Sequence, residues 1–172
     1  IKYNEQIAGK YRSGLNFRYL DSYLEKEIVT KTFQQYFAYG SEYWTDRKDF
    51  EKLLKLNSEK NIDWFFSTMI DSKEAIDYKM KSVEQNENQV SFQLKNKFKS
   101  AVPVPVYTVK KDSIVNKKWI EINQQDSIIS IDKNEADYVV LNYKNEVPEI
   151  NQRNNWYNLN KSAWLNKPIA FT

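Results

Sequence analysis

Near Ile70 to Ala75 the apolar residues of this 172-residue chain change their spacing, and that change limits the fold more than any other feature. Before it, apolar side chains recur every three or four residues. After it, they alternate with polar ones. The first rhythm lines one face of a helix and the second lines one face of a strand. The fold class expected is α+β: a helical segment of about three helices over residues 1–74, then an antiparallel, immunoglobulin-like β-sandwich over residues 75–172.

In the first part, Leu15, Tyr19, Leu20, Tyr23, Leu24, Ile28, Phe33, Tyr36 and Phe37 predict one long helix, with no proline to interrupt it. Gly40 is placed to supply a left-handed cap at its end. Thr45 or Asp46 can cap the next helix, which turns Phe50, Leu53, Leu54 and, at the margin of that face, Leu56 inward. A third, short helix follows Asn61 and carries Ile62, Phe65, Phe66, Met69 and Ile70.

In the second part, Ile76, Tyr78 and Met80 predict one strand and Val90, Phe92 and Leu94 another, with a polar loop at 84–89 between them. The run Val102-Pro103-Val104-Pro105-Val106 also alternates. Proline has no amide to donate, so this strand is expected at a sheet edge. Strands at 113–122 and 126–131 follow, and the nearly continuous apolar run at 138–143 reads as a central strand. The tail from Asn145 onward shows neither rhythm. It is crowded with Asn and carries Trp156 and Trp164, so it reads as a long surface loop pinned by its rings.

Composition removes several chemistries. The chain has no His and no Cys, which excludes a Ser-His-Asp triad, a Cys nucleophile, an H-E-x-x-H zinc helix and any disulfide. No metal site is expected in the chain itself. No apolar run reaches the roughly 20 residues of a membrane span, and the first residues do not read as a signal peptide. Starting at Ile1, the chain reads as a fragment or a processed piece. Its net charge of +3 comes from 26 bases, of which Arg12, Arg18, Arg47 and Arg153 are the arginines. So mild and lysine-rich a balance argues against a nucleic-acid partner.

Several stretches resemble the aminopeptidase N-like zinc peptidases. Tyr11-Arg12-Ser13-Gly14 is similar to the family's Tyr-x-x-Gly segment, with Ser13 where the family usually has a base and Leu15 where a small residue is common. Asp49-Phe50 with Leu53 resembles its Asp-Phe helix, and Asn61-Ile62-Asp63-Trp64-Phe65-Phe66 its Asp-Leu-Asp-Trp-Phe-Phe signature. Val102 to Val106, Val147-Pro148-Glu149-Ile150-Asn151-Gln152-Arg153-Asn154-Asn155-Trp156 and Lys167-Pro168-Ile169-Ala170-Phe171 are similar to motifs of the bacterial branch's sandwich. The likeness runs from about Tyr11 to Phe171.

The resemblance implies a C-terminal piece of a bacterial zinc aminopeptidase, non-catalytic by itself, that supports its own N-terminal catalytic domain. Zinc, its ligands and the peptide substrate would belong to that parent. Tyr11 stands where the family's tyrosine donates to the oxyanion, a role for the intact parent only. A periplasmic, envelope or secreted location would follow from the same likeness. Read from the residues alone, Tyr11 is an amphipathic tyrosine near a helix start, its hydroxyl in water. The truncated helical face is expected to favour self-association.

A different function is also open. Arg153, Trp156 and Trp164 form either a tail anchor or a ligand surface. As an anchor, Arg153 would pair with Glu146 or Glu149, or stack on Trp156. As a surface, the rings and Asn amides would make a protein- or carbohydrate-binding sandwich module with no enzymatic activity. Lys95, Lys97 and Lys99 read as an edge-strand guard, Lys110-Lys111 and Lys117-Lys118 as turn charges, and Asp132, Glu135 and Asp137 as solvated acids rather than a calcium loop.

Overall fold

The computed structural model describes residues 2–25, 27–72, 74–98, 101–122 and 126–161. The chain separates into two compact units, Ile1–Lys73 and Glu74–Thr172. The first holds helices α1 (Lys2–Leu24), α2 (Ile28–Gly40) and α3 (Arg47–Asn57) and a π-helical turn, Phe65–Ile70. The second holds seven strands in two antiparallel sheets. The fold is α+β, a helical segment followed by a β-sandwich.

The single long helix expected through residues 15–37 is two helices. Glu25 and Glu27 both take left-handed backbone conformations, with φ of 60° and 56°. For residues with a Cβ such geometry costs about 1–3 kcal/mol each, so packing must hold it. Lys60 Nζ donates to the Tyr23 carbonyl at 2.6 Å, placing a cation against the carbonyl end of α1. The fold-back also lets Phe17 of α1 meet Phe33 of α2, Phe50 of α3 and Phe65 of the π turn, at centroid distances of 5.1, 5.9 and 5.3 Å. The three- and four-residue spacing runs unbroken across the bend because both helices feed this one core.

Helix α3 begins where local chemistry says it should, and it buries Phe50 and Leu54 but turns Leu56 out to solvent. Asp46 accepts the amides of Lys48 and Asp49, and Asp49 reaches back to the Asp46 amide, a reciprocal cap. Gly40 is not a left-handed cap. No described glycine has a positive φ, and a Cβ at Gly40 would lie 3.1 Å from Thr45 Oγ1, so close approach is what the glycine allows. The last helix widens to the π form at Phe65, where Asp71 N–H reaches the Phe66 carbonyl. Buried Asn16 of α1 donates to the Met69 carbonyl at 2.9 Å.

In the second unit the strands are β1 (Tyr78–Gln85), β2 (Gln89–Asn96), β3 (Val104–Lys110), β4 (Ser113–Ile120), β5 (Asp126–Asp132), β6 (Tyr138–Leu141) and β7 (Trp156–Asn158). One sheet runs β1-β2-β5 and the other β4-β3-β6-β7. Alternation sets the first sheet. Val90 pairs with Ile131, Phe92 with Ile129 and Met80 with Leu94, all buried on one face. On the other face the Ser91 and Ser130 hydroxyls bond at 2.8 Å.

Two expectations about strands are corrected. The proline-bearing strand β3 is interior, paired to β4 and β6. Pro105 is tolerated because the β6 ladder begins only at Val106, one residue later. The tail is not all loop, since Trp156–Asn158 adds to β6 as an edge strand.

Tyr78 shows how one side chain can hold a strand entry. Its buried hydroxyl donates to the Val102 carbonyl at 2.8 Å and accepts the Val102 amide at 3.0 Å. Burial pushes this phenol well above its ordinary range. Tyr78→Phe strands both backbone groups and is expected to cost about 2 kcal/mol, measured as a shift in the urea midpoint at unchanged m-value. A midpoint equal to wild type would show that the hydroxyl does not hold Val102.

Candidate functional site

Two places in the chain collect chemistry, one in each unit. The first surrounds Tyr11, which lies in the middle of α1 and not near a helix start. Tyr11 is 73 % exposed, and its hydroxyl bonds to no described residue. With Gly14, Leu15 and Arg18 it lines an open, mostly apolar hollow of about 360 Å³. Tyr11, Leu15 and Arg18 recur at helical spacing, so one face of α1 presents them together. Around Gly14, a Cβ would meet nothing within 4 Å. Glycine inside a helix costs roughly 0.5–1 kcal/mol against alanine, and no described residue of this unit makes use of the space.

The second place is a groove of about 640 Å³ formed by the turns between β6 and β7. Glu149 is among its lining residues. The carboxylate is buried and accepts Tyr78 N–H at 3.0 Å, Asn142 Nδ2 at 3.0 Å and Asn155 Nδ2 at 2.7 Å. Burial pushes its pKa up to about 7, against the pull of those three donors, and the charge of Asp77 adds to the rise. Asn142 also closes a turn, donating to the Val147 carbonyl at 2.7 Å and accepting the Val147 amide at 2.9 Å. The segment is thereby folded around its own carboxylate. Asn155 Oδ1 is buried beside it and has no hydrogen-bond partner among the described residues.

Arg153 and Trp156 both line this groove, so the structure brings these two candidates together. The anchoring contacts expected of Arg153 are not formed. Glu149 is spent on the donors just named, and Glu146 accepts the Tyr107 hydroxyl at 2.6 Å and Lys117 Nζ at 3.1 Å. Among the described residues the Arg153 guanidinium has no partner and lies over no ring. Trp156 packs edge-on against Tyr138 and Tyr143, at 5.8 and 5.5 Å, and keeps 37 % of its surface exposed. Trp164 lies outside the described residues, as do Lys99 and the stretch 167–171.

Several charged candidates take other roles. Lys117 is not a turn charge: it lies in β4, reaches Glu146, and sits over the rings of Trp119 and Tyr107 at 4.9 and 5.7 Å. The Tyr107 phenol is driven well above its usual range by burial and by the Glu146 carboxylate. This pairing was hidden in the sequence because 29 residues separate Lys117 from Glu146. Lys95 does not guard an edge, since β2 is the middle strand of its sheet, and Lys97 pairs with buried Asp77 at 2.6 Å. Glu135 pairs with Lys110 at 2.7 Å, while Asp137 accepts the Lys111 amide and Asn160 Nδ2. Among the described residues no group of three His, Cys, Asp or Glu could hold a metal ion. No described helix is long and apolar enough to cross a membrane.

No protein-family model matches the chain, and no curated protein does. Among solved structures the fold is similar to that of Legionella pneumophila aminopeptidase A, solved in complex with aspartic acid, with a TM-score of 0.66 at 16 % identity. The likeness covers 81 % of this chain but 17 % of that one. At such identity it shows a shared fold and nothing finer.

Proposed function

We propose that this chain is the C-terminal part of a zinc-dependent aminopeptidase, its helical unit the end of the catalytic domain and its sandwich a supporting module. The observation that carries the reading is the fold likeness to an aminopeptidase over 81 % of the chain, in the company of the Tyr11-x-x-Gly14 segment. The chain has no His or Cys, and its described carboxylates form no ligand cluster. On this reading zinc is therefore held by residues outside this chain, and no step of the chemistry is assigned to a metal here. Tyr11 would offer its hydroxyl to the oxygen of the scissile carbonyl as negative charge develops there.

Gly14 supports the same reading. Its empty surroundings make sense if another part of the protein approaches α1 there. Gly14→Ala is then expected to stabilise the isolated 172-residue chain by about 0.5–1 kcal/mol and to lower activity in the intact protein. Thermal melts of the one and turnover of the other check the pair. Alone, the chain presents Tyr11 and Leu15 to solvent, and a second copy is the cover it would find. The test of the proposal itself is release of the N-terminal residue from an aminoacyl p-nitroanilide. The intact protein should do this and this chain alone should not. An intact protein with no such activity would leave the fold likeness without a shared chemistry.

A further inference from the structure

The groove between β6 and β7 is not accounted for by the peptidase reading. Its polar groups divide into two sets. The backbone is turned inward: Asn142 N–H bonds to the Pro105 carbonyl, Asn145 N–H to Asn142, Glu149 N–H to Val147, Ile150 N–H to Ile76 and Asn155 N–H to Gln152, all between 2.8 and 3.3 Å. Arg153 N–H is taken by Asn151 Oδ1 at 3.1 Å. The side chains are left over. Among the described residues the Tyr143 hydroxyl, the Asn145 and Gln152 amides, Asn151 Nδ2 and the Arg153 guanidinium have no partner, and all five residues line the groove.

That division selects a ligand class. An added peptide strand would need a row of free backbone donors and acceptors, and the six amides just named are already taken. A ligand dense in hydroxyls needs side chains that both donate and accept, as amides and a phenol do, together with a ring to lie against. The partly exposed Trp156 supplies the ring. Tyr143 lies beside it at 5.5 Å, on the face of the sheet where Val140 and Tyr107 pack. The charges are lopsided as well. Among the described residues Arg153 is the one base lining the groove, and the one acid, Glu149, is buried and satisfied from within. That acid is buried under its own three donors, and an unpaired planar guanidinium suits a carboxylate.

We propose that this groove binds an acidic carbohydrate, with a sugar ring against Trp156, hydroxyls on the Asn, Gln and Tyr143 side chains, and a uronate carboxylate on Arg153. The site belongs to the sandwich alone and stands whether or not the parent is a peptidase.

The experiment is calorimetric titration of the 172-residue chain with a short oligogalacturonate and with its neutral galactose counterpart. The acidic sugar should bind in the micromolar to millimolar range and the neutral one at least tenfold more weakly. Arg153→Gln should weaken the acidic ligand about tenfold while melting as wild type, because the Arg153 guanidinium holds no described residue. Trp156→Ala should abolish binding of both sugars. Lys31→Gln, which removes the same charge from an exposed site in α2, should change nothing. No heat with either sugar overturns the proposal. So does equal weakening by Arg153→Gln and Lys31→Gln, which would mean general attraction of a polyanion to a basic protein. Equal affinity for the two sugars overturns the acidic assignment.

Discussion

Raising the pH from 4.5 to 8 is expected to lower the stability of the sandwich unit by about 3 kcal/mol, and Glu149→Gln is expected to abolish that loss. Glu149 ionises near 4.5 in an unfolded chain and at about 7 in the fold. Between those values folding takes up a proton. Stability is therefore fully present below 4.5, falls as pH rises through the folded pKa, and is level above it. The displacement from 4.5 to about 7, at about 1.4 kcal/mol per pH unit, sets the magnitude. The chain has no His, so no other side chain of ordinary pKa titrates between pH 5 and 8 to blur the slope. On the acid side the direction reverses. The Lys110 ammonium holds Glu135 below its usual range, and the Lys111 amide with Asn160 does the same for Asp137. Their contributions fade as pH drops through those lowered values.

The Glu149→Gln variant separates charge from hydrogen bonding. The carbonyl of the introduced side chain can still accept from Asn142 and Asn155, but its NH2 group then faces the Tyr78 N–H, a lost bond worth about 1–3 kcal/mol at every pH. The variant's curve should start lower than wild type at pH 4.5 and run flat to pH 8. Urea titrations read at β6 amide resonances, at three pH values, measure both curves in the unit concerned. A flat wild-type curve, or the same slope in the variant, would show that Glu149 is not the titrating group.

The parts of this fold that the sequence exposes are those decided locally. Asp46 and Asp49 lie three residues apart and cap α3 with groups the helix itself supplies. The alternation of Val90, Phe92 and Leu94 is enforced by one buried face and one wet one. What escaped depends on partners far along the chain. Glu25 and Glu27 carry no bend signal of their own; the bend is held by Lys60 and by rings on three other elements. Pro103 and Pro105 suggest an edge strand, yet where β6 begins its ladder decides the matter. Glu149 was visible in the sequence as one residue of a motif. Its role as an inward acceptor arises from Tyr78, 71 residues earlier. The candidate site was legible in the same measure: Arg153 and Trp156 were identifiable by type, while the groove that joins them depends on that buried carboxylate.

In the intact protein, Tyr11→Phe is expected to lower kcat by about 100- to 1000-fold and to leave KM within about twofold. The change removes one oxygen and keeps the ring. That oxygen bonds to no described residue, and 73 % of the side chain is exposed, so the substitution should leave the melting temperature unchanged. A hydroxyl with no structural duty among the described residues, on the face of a helix beside an open hollow, is free to serve a ligand. A phenol O–H is a hydrogen-bond donor. Its value would lie in the reaction and not in binding, because the carbonyl oxygen gains charge only as the bond to the nucleophile forms. A single donor aimed at that charge is worth about 3–4 kcal/mol, which is the rate factor stated. Each departure from this pattern has a distinct meaning. A raised KM at unchanged kcat would make Tyr11 a contact to bound substrate. Unchanged kinetics would make it a surface tyrosine and remove the catalytic half of the proposal. A lowered melting temperature with proportionate loss of active enzyme would place the hydroxyl in a contact with the rest of the parent, and the same variant in the 172-residue chain, melting as wild type, would locate that contact outside this chain.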